Sequence, residues 1–119
     1  MTEVDRKALT RAYRETPREA GIYRVRNIVT GRSLVGASPN LPGILNRHRF
    51  ALEMGSHQSK QLQADWNELG PDAFALEVLD RLEAPDDPAW DPAEDLAVLK
   101  ALWLDKMAES STELYRELG

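Results

Sequence analysis

The spacing of apolar residues changes several times along this 119-residue chain, and each change predicts a new element. Val4, Ala8, Leu9, Ala12 and Tyr13 recur at helical spacing and predict a helix over 3–14, stopped by Pro17. Over 20–28 the pattern becomes that of a strand, with Ile22, Val25 and Ile28, and Tyr23 between them. Residues 29–32 read as a turn in which Gly31 is available for a positive φ, and 33–37 as the returning strand. Ser38-Pro39-Asn40 breaks that strand. Asn40 can cap a helix whose first turn tolerates Pro42. This helix, over 41–54, carries Leu41, Leu45, His48 and Leu52 along one stripe. After the break at 55–57, a second helix over 58–69 carries Leu62, Trp66 and Leu69. A turn at 70–72 then leads into a third strand over 73–82, where Phe74, Leu76 and Val78 alternate with polar positions. The Pro- and Asp-rich stretch 83–95 reads as an exposed loop. A helix from about 93 to 107 and a short helix at 111–118 complete the pattern.

A hairpin followed by two helices and one late strand predicts an α+β fold. Its expected form is a small, mostly antiparallel three-stranded sheet flanked by helices. No internal repeat or low-complexity segment divides the chain, so a single domain over 1–119 is expected, with 83–95 as an insertion.

Composition narrows the chemistry. There is no cysteine, which excludes disulfides, thiolate zinc sites and a cysteine nucleophile, and suits a reducing compartment. The charged start lacks the apolar region of a signal peptide, and no apolar run approaches a membrane span; the expectation is a soluble cytoplasmic protein. The net charge of −5 hides an asymmetry. Residues 1–60 hold 11 Lys/Arg and five Asp/Glu, whereas 61–119 hold four and 15. The basic half suits a polyanion and the acidic half a protein partner, although two solvated faces would give the same numbers.

Gly21-Ile22-Tyr23, followed after ten residues by Leu34-Val35-Gly36, resembles the paired motifs of the GIY-YIG nuclease family. The similarity continues through "NLPGILNRH" at 40–48, "GSHQSKQLQADWNELGPDAFALEVLDRL" at 55–82 and "ALWLDKM" at 101–107, covering roughly 20–107. The resemblance implies a small antiparallel sheet flanked by helices, and hydrolysis of a DNA phosphodiester with one divalent metal. It implies that a glutamate on the last helix holds the metal and that the GIY tyrosine acts on or positions the water. The second motif's tyrosine would support the site, and an arginine on the helix after the hairpin would stabilise the phosphoryl charge.

Carried over position by position, Tyr23 is present, but the second tyrosine is Leu34, the arginine is Ile44 and the metal glutamate is Lys100. A lysine ammonium cannot coordinate a metal. The resemblance therefore implies nucleic-acid binding, DNA foremost, with metal-dependent cleavage lost or weakened. No metal ligand or cofactor is expected, Mg²⁺ or Mn²⁺ entering only under the alternative of an active endonuclease rebuilt from Tyr23, His48, Arg47 and Glu77. A second alternative is a protein-interaction module whose contact surface is the acidic second half. Tyr23 and His48 are the catalytic candidates; a packed, hydrogen-bonded His48 is the plainer reading. Arg18, Arg24, Arg26, Arg32, Arg47, His57 and Lys100 are the candidate nucleic-acid contacts. Arg24 and Arg26 fall on the strand face opposite Tyr23, and Arg47, unlike Arg49, falls near the rim of the Ile44 position. Two readings of Lys100 stand: a stem packed among Leu96, Trp103 and Met107 with its head in water, or a fixed positive charge where the family keeps its metal. His48 and His57, without carboxylates at ligand spacing, do not make a zinc site.

Overall fold

In a computed structural model, the described residues are 19–83, 85 and 89–116. The helix expected over 3–14 and the candidate Arg18 lie outside them, as does part of the 83–95 loop. Strand β1 (Gly21–Asn27) lies between β2 (Ser33–Ser38) and β3 (Phe74–Arg81), and both pairings are antiparallel. Helices α1 (Leu41–Met54) and α2 (Lys60–Leu69) follow the hairpin, and α3 (Ala93–Glu109) follows β3. The fold is α+β, as the pattern of apolar positions predicts.

Local chemistry explains the boundaries. Asn40 Oδ1 accepts the Gly43 N–H at 3.2 Å and opens α1, with Pro42 in the first turn where no donor is lost. Ser59 caps α2 by accepting the Leu62 N–H at 3.3 Å. In the hairpin turn, Asn27 Oδ1 accepts the N–H groups of Val29 and Thr30, and Gly31 takes φ +80°.

The sheet has helices on both faces. Val25, Leu34 and Phe74 pack with Leu52 of α1 and Leu62 and Trp66 of α2. On the other face Ile22 and Val35 pack with Met107 of α3, and Leu79, Leu99, Trp103 and Leu104 complete that cluster. Opposite β3, the register of β1 shifts between Ile22 and Tyr23, so Tyr23 pairs with Val78 while Ile22 pairs with Asp80. Trp66 and Trp103 are thus core residues. Trp90, half-buried in the loop, donates its Nε1–H to Asp95 at 3.2 Å.

The expected helix at 111–118 is not formed over its described part. Residues 112–116 instead run as an extended strap beside β2, with a parallel bridge between Ser33 and Leu114. Tyr115 explains the difference: its ring is buried in the α1–α2 side of the core. Its hydroxyl accepts from Asn27 Nδ2 at 3.0 Å and donates to Asp65 Oδ2 at 2.6 Å. Burial, with the Asp65 carboxylate adding to it, pushes the phenol up to about 12. These tertiary bonds override a local helical period too short to hold on its own.

Candidate functional site

A cleft of about 510 Å³ opens between the sheet, α1, the loop at 56–58 and the middle of α3. Its position follows from the hairpin. Tyr23 on β1 is directly opposite Gly36 on β2, and the Tyr23 ring lies across the space a side chain at 36 would fill. A Cβ built on Gly36 comes within 2.5 Å of Tyr23 Cζ and nearer still to its hydroxyl oxygen. The glycine thus lets a buried tyrosine lie along the sheet with its hydroxyl directed at α1.

That hydroxyl meets a chain of two imidazoles. Tyr23 Oη lies 2.9 Å from His48 Nε2, and His48 Nδ1 lies 2.8 Å from His57 Nε2. The two imidazole rings stack with centroids 5.0 Å apart. The Ser59 backbone N–H donates to His57 Nδ1 at 2.9 Å. A backbone amide can only donate, so it fixes the direction of the whole chain. His57 carries its proton on Nε2 and donates to His48 Nδ1; His48 then carries its proton on Nε2 and donates to the Tyr23 oxygen. Burial holds His57 below its ordinary value, which favours the neutral ring that this arrangement requires. In this arrangement His48 presents N–H, not a lone pair, to the tyrosine. The chain orients Tyr23.

The three substituted positions also meet at this cleft. Leu34, Ile44 and Lys100 all line it, together with Tyr23, His48 and His57. Arg47 lines it as well, one helical turn along α1 from Ile44, whereas Arg49 does not. Among the described residues the charged side chains of the lining are Arg47 and Lys100, and none is a carboxylate. Among the described residues there is also no group of three or more His, Cys, Asp or Glu able to hold a metal ion. The described donor set of the cleft does not fit the divalent metal that the motif resemblance implies: two imidazoles already bonded to one another and two cations are the wrong ligands for Mg²⁺.

The remaining candidates lie elsewhere. Arg24 and Arg26 both bind Glu77, at 2.7 and 2.8 Å, on the sheet face away from Tyr23. Burial raises the Glu77 carboxyl, but the hydrogen bonds and charges of the two arginines outweigh that and leave it below its ordinary value. Glu77 is thus held on the wrong side of the sheet to serve as the acid of a rebuilt site. Arg32, beside the hairpin turn, pairs with Glu113 at 2.8 Å and lies over the Tyr115 ring. Of the six candidate contacts that are described, the cleft gathers Arg47, His57 and Lys100. The link from His48 to His57 has no signal in the sequence, because it depends on how the 55–59 turn folds back after α1. Ser56 and Gln58, which also line the cleft, were equally silent. Among the described residues no helix is long and apolar enough to cross a membrane.

A scan of the sequence against protein-family models gives no match, and a comparison with curated protein sequences gives none either. Solved structures do match. The catalytic domain of the intron endonuclease I-TevI, in a glutamate-to-alanine mutant, superposes with a TM-score of 0.63 at 21% identity, covering 82% of this chain and 92% of that one. A second structure, the catalytic domain of homing endonuclease I-TevI, gives 0.60 at 23% identity, covering 79% and 94%. I-TevI is a GIY-YIG homing endonuclease. The sheet order, the flanking helices and the paired motifs at 21–23 and 34–36 agree with that likeness, and the chain has the GIY-YIG fold.

Proposed function

We propose that this protein binds nucleic acid, DNA foremost, in the cleft beside Tyr23, and that metal-dependent phosphodiester cleavage is lost or greatly weakened. The cleft carries this reading: among the described residues its charged side chains are Arg47 and Lys100. A cationic wall attracts phosphate oxygens and repels a divalent cation. The fold it shares with an endonuclease catalytic domain supports a nucleic-acid ligand. The hydrogen-bonded Tyr23–His48 pair supports a site that has kept its frame while its metal chemistry has gone.

The test is nicking of supercoiled plasmid in Mg²⁺ and in Mn²⁺, with Tyr23→Phe in parallel, and DNA binding across a salt series. The expected result is binding that weakens steeply with salt, without nicking that depends on Tyr23. Metal-dependent nicking abolished by Tyr23→Phe would sink the proposal, as would the absence of any salt-sensitive binding.

A further inference from the structure

We infer that the outward face of α1 is a platform for an unpaired strand of nucleic acid, with one base stacked on the exposed Phe50 ring and Arg47 and Arg49 on the phosphates to either side of it. The inference rests on the nucleic-acid reading and deepens it by naming a single-stranded ligand and a contact outside the cleft.

The helix sets the geometry. Successive side chains turn by about 100°, so Phe50 falls on the side of α1 away from the buried Leu41 and Leu52. Its ring is 65% exposed, and Met54, one turn on, is exposed to the same degree. Among the described residues Phe50 is the one aromatic side chain that is exposed. Arg47 stands one turn back on this face, and Arg49 stands beside Phe50 on its other flank; both are exposed. A flat, apolar ring in water gains when a second flat ring covers it, and every nucleic-acid base has such a face. In a duplex those faces are stacked on neighbouring pairs, so an unpaired base is the one free to cover Phe50.

Charge decides which partner this face suits. Arg24, Arg26, Arg32 and Arg81 are each paired with a carboxylate. Among the described residues no ion pair engages Arg47 or Arg49, and Glu53, the carboxylate of α1, pairs with neither. Two guanidinium groups that the fold leaves unneutralised therefore flank its exposed aromatic ring, and guanidinium matches phosphate oxygens with a fork of donors. The exposed apolar pair of α3 has the opposite setting. Val98 and Leu102 stand among Glu94, Asp95 and Asp105, which repel phosphate. Arg47 also lines the cleft, so a strand that enters there and crosses α1 passes from Arg47 to Phe50 without a gap.

The experiment measures fluorescence anisotropy of a labelled oligothymidine strand, of an abasic strand of equal length and of a duplex. It is done in EDTA over a NaCl series, with the parent, Phe50→Leu, Phe50→Trp, Arg49→Gln and Leu102→Ala proteins, and circular dichroism checks each fold. The parent should bind the oligothymidine strand more tightly than the duplex. Phe50→Leu keeps an apolar side chain but not a flat one. It should lose about tenfold in affinity with its salt slope unchanged, because stacking moves no charge. Phe50→Trp should bind at least as well as the parent. Arg49→Gln should lower the salt slope by about 0.7, and Leu102→Ala should match the parent. The abasic strand should bind the parent and Phe50→Leu alike.

Salt-sensitive binding that Phe50→Leu leaves intact would overturn the platform and spare the nucleic-acid reading. So would tighter binding of the duplex, or a tenfold loss that the abasic strand shares. Self-association of the parent in sedimentation velocity, lost in Phe50→Ser, would assign the face to a second copy of the chain and overturn the platform as well. If neither strand nor duplex binds, the platform and the nucleic-acid reading fall together.

Discussion

Replacing Gly36 with alanine tests how the hairpin aims its tyrosine. The added methyl would come within 2.5 Å of Tyr23 Cζ and 2.9 Å of Cε1, so the ring itself has to move. That ring is 7% exposed and bonded to His48, which leaves little room to swing aside. Overpacking of this kind costs about 1–3 kcal/mol, and the lost Tyr23–His48 hydrogen bond adds about 1. Against this, alanine is better than glycine within a strand by about 0.5–1 kcal/mol. The net expectation is a loss of about 2 kcal/mol, or roughly 10 °C in Tm for a domain of this size. Urea unfolding of a double-mutant cycle with Tyr23→Ala isolates the effect. Without the ring, Gly36→Ala should be neutral or stabilising, so the sign of the substitution depends on residue 23. An equal cost in both backgrounds, or none in the parent, would refute the reasoning.

Gly21→Ala places its methyl against the Asp80 carbonyl oxygen and 2.9 Å from Arg81 Cα, backbone that cannot rotate away; a loss of about 3 kcal/mol in urea unfolding is expected. Tyr115→Phe strands the buried Asn27 amide and the Asp65 carboxylate and should cost about 1–3 kcal/mol by the same measurement. His57 is held below its ordinary 6.5, so the unfolded chain takes up a proton first. Its contribution to stability is therefore complete above that value and lost as pH falls through it. Unfolding free energies between about pH 7.5 and 5.5 should fall more steeply for the parent than for His57→Gln, in a window above the titration of Glu77. Glu77→Gln should leave the cleft intact, visible as unchanged His48 and His57 resonances, because the carboxylate binds Arg24 and Arg26 on the other sheet face.

Much of this arrangement is legible in the sequence. The alternation around Tyr23 and Val25 places the hairpin, Asn40 announces its helix as a cap, and the stripe of Leu96, Leu99, Trp103 and Met107 gives the packed face of α3. The resemblance to the GIY-YIG motifs implies that Leu34, Ile44 and Lys100 meet, and all three line the cleft. What local pattern cannot supply is pairing at long range. Nothing in the basic first half says that Arg24 and Arg26 are spent on Glu77, or Arg32 on Glu113; those partners lie more than fifty residues away. The strap at 112–116 differs from the helix expected over 111–118 for the same reason, since its backbone is decided by Ser33 and its tyrosine by Asn27 and Asp65.

The strap has a consequence for the order of folding. Tyr115 closes a core whose other members begin at Val25, and its hydroxyl ties the first hairpin to α2. A chain emerging from the ribosome completes β1 to β3 and α1 to α3 before this residue appears. Until then the Asn27 amide and the α1–α2 side of the core are open to water. The Asn27–Tyr115 contact spans 88 residues and carries a high loop-closure entropy, so it forms late and in concert with the rest. The α1–α2 side of the nascent domain therefore closes only when Tyr115 arrives, whereas the α3 side, built on Ile22, Val35 and Met107, does not wait for it.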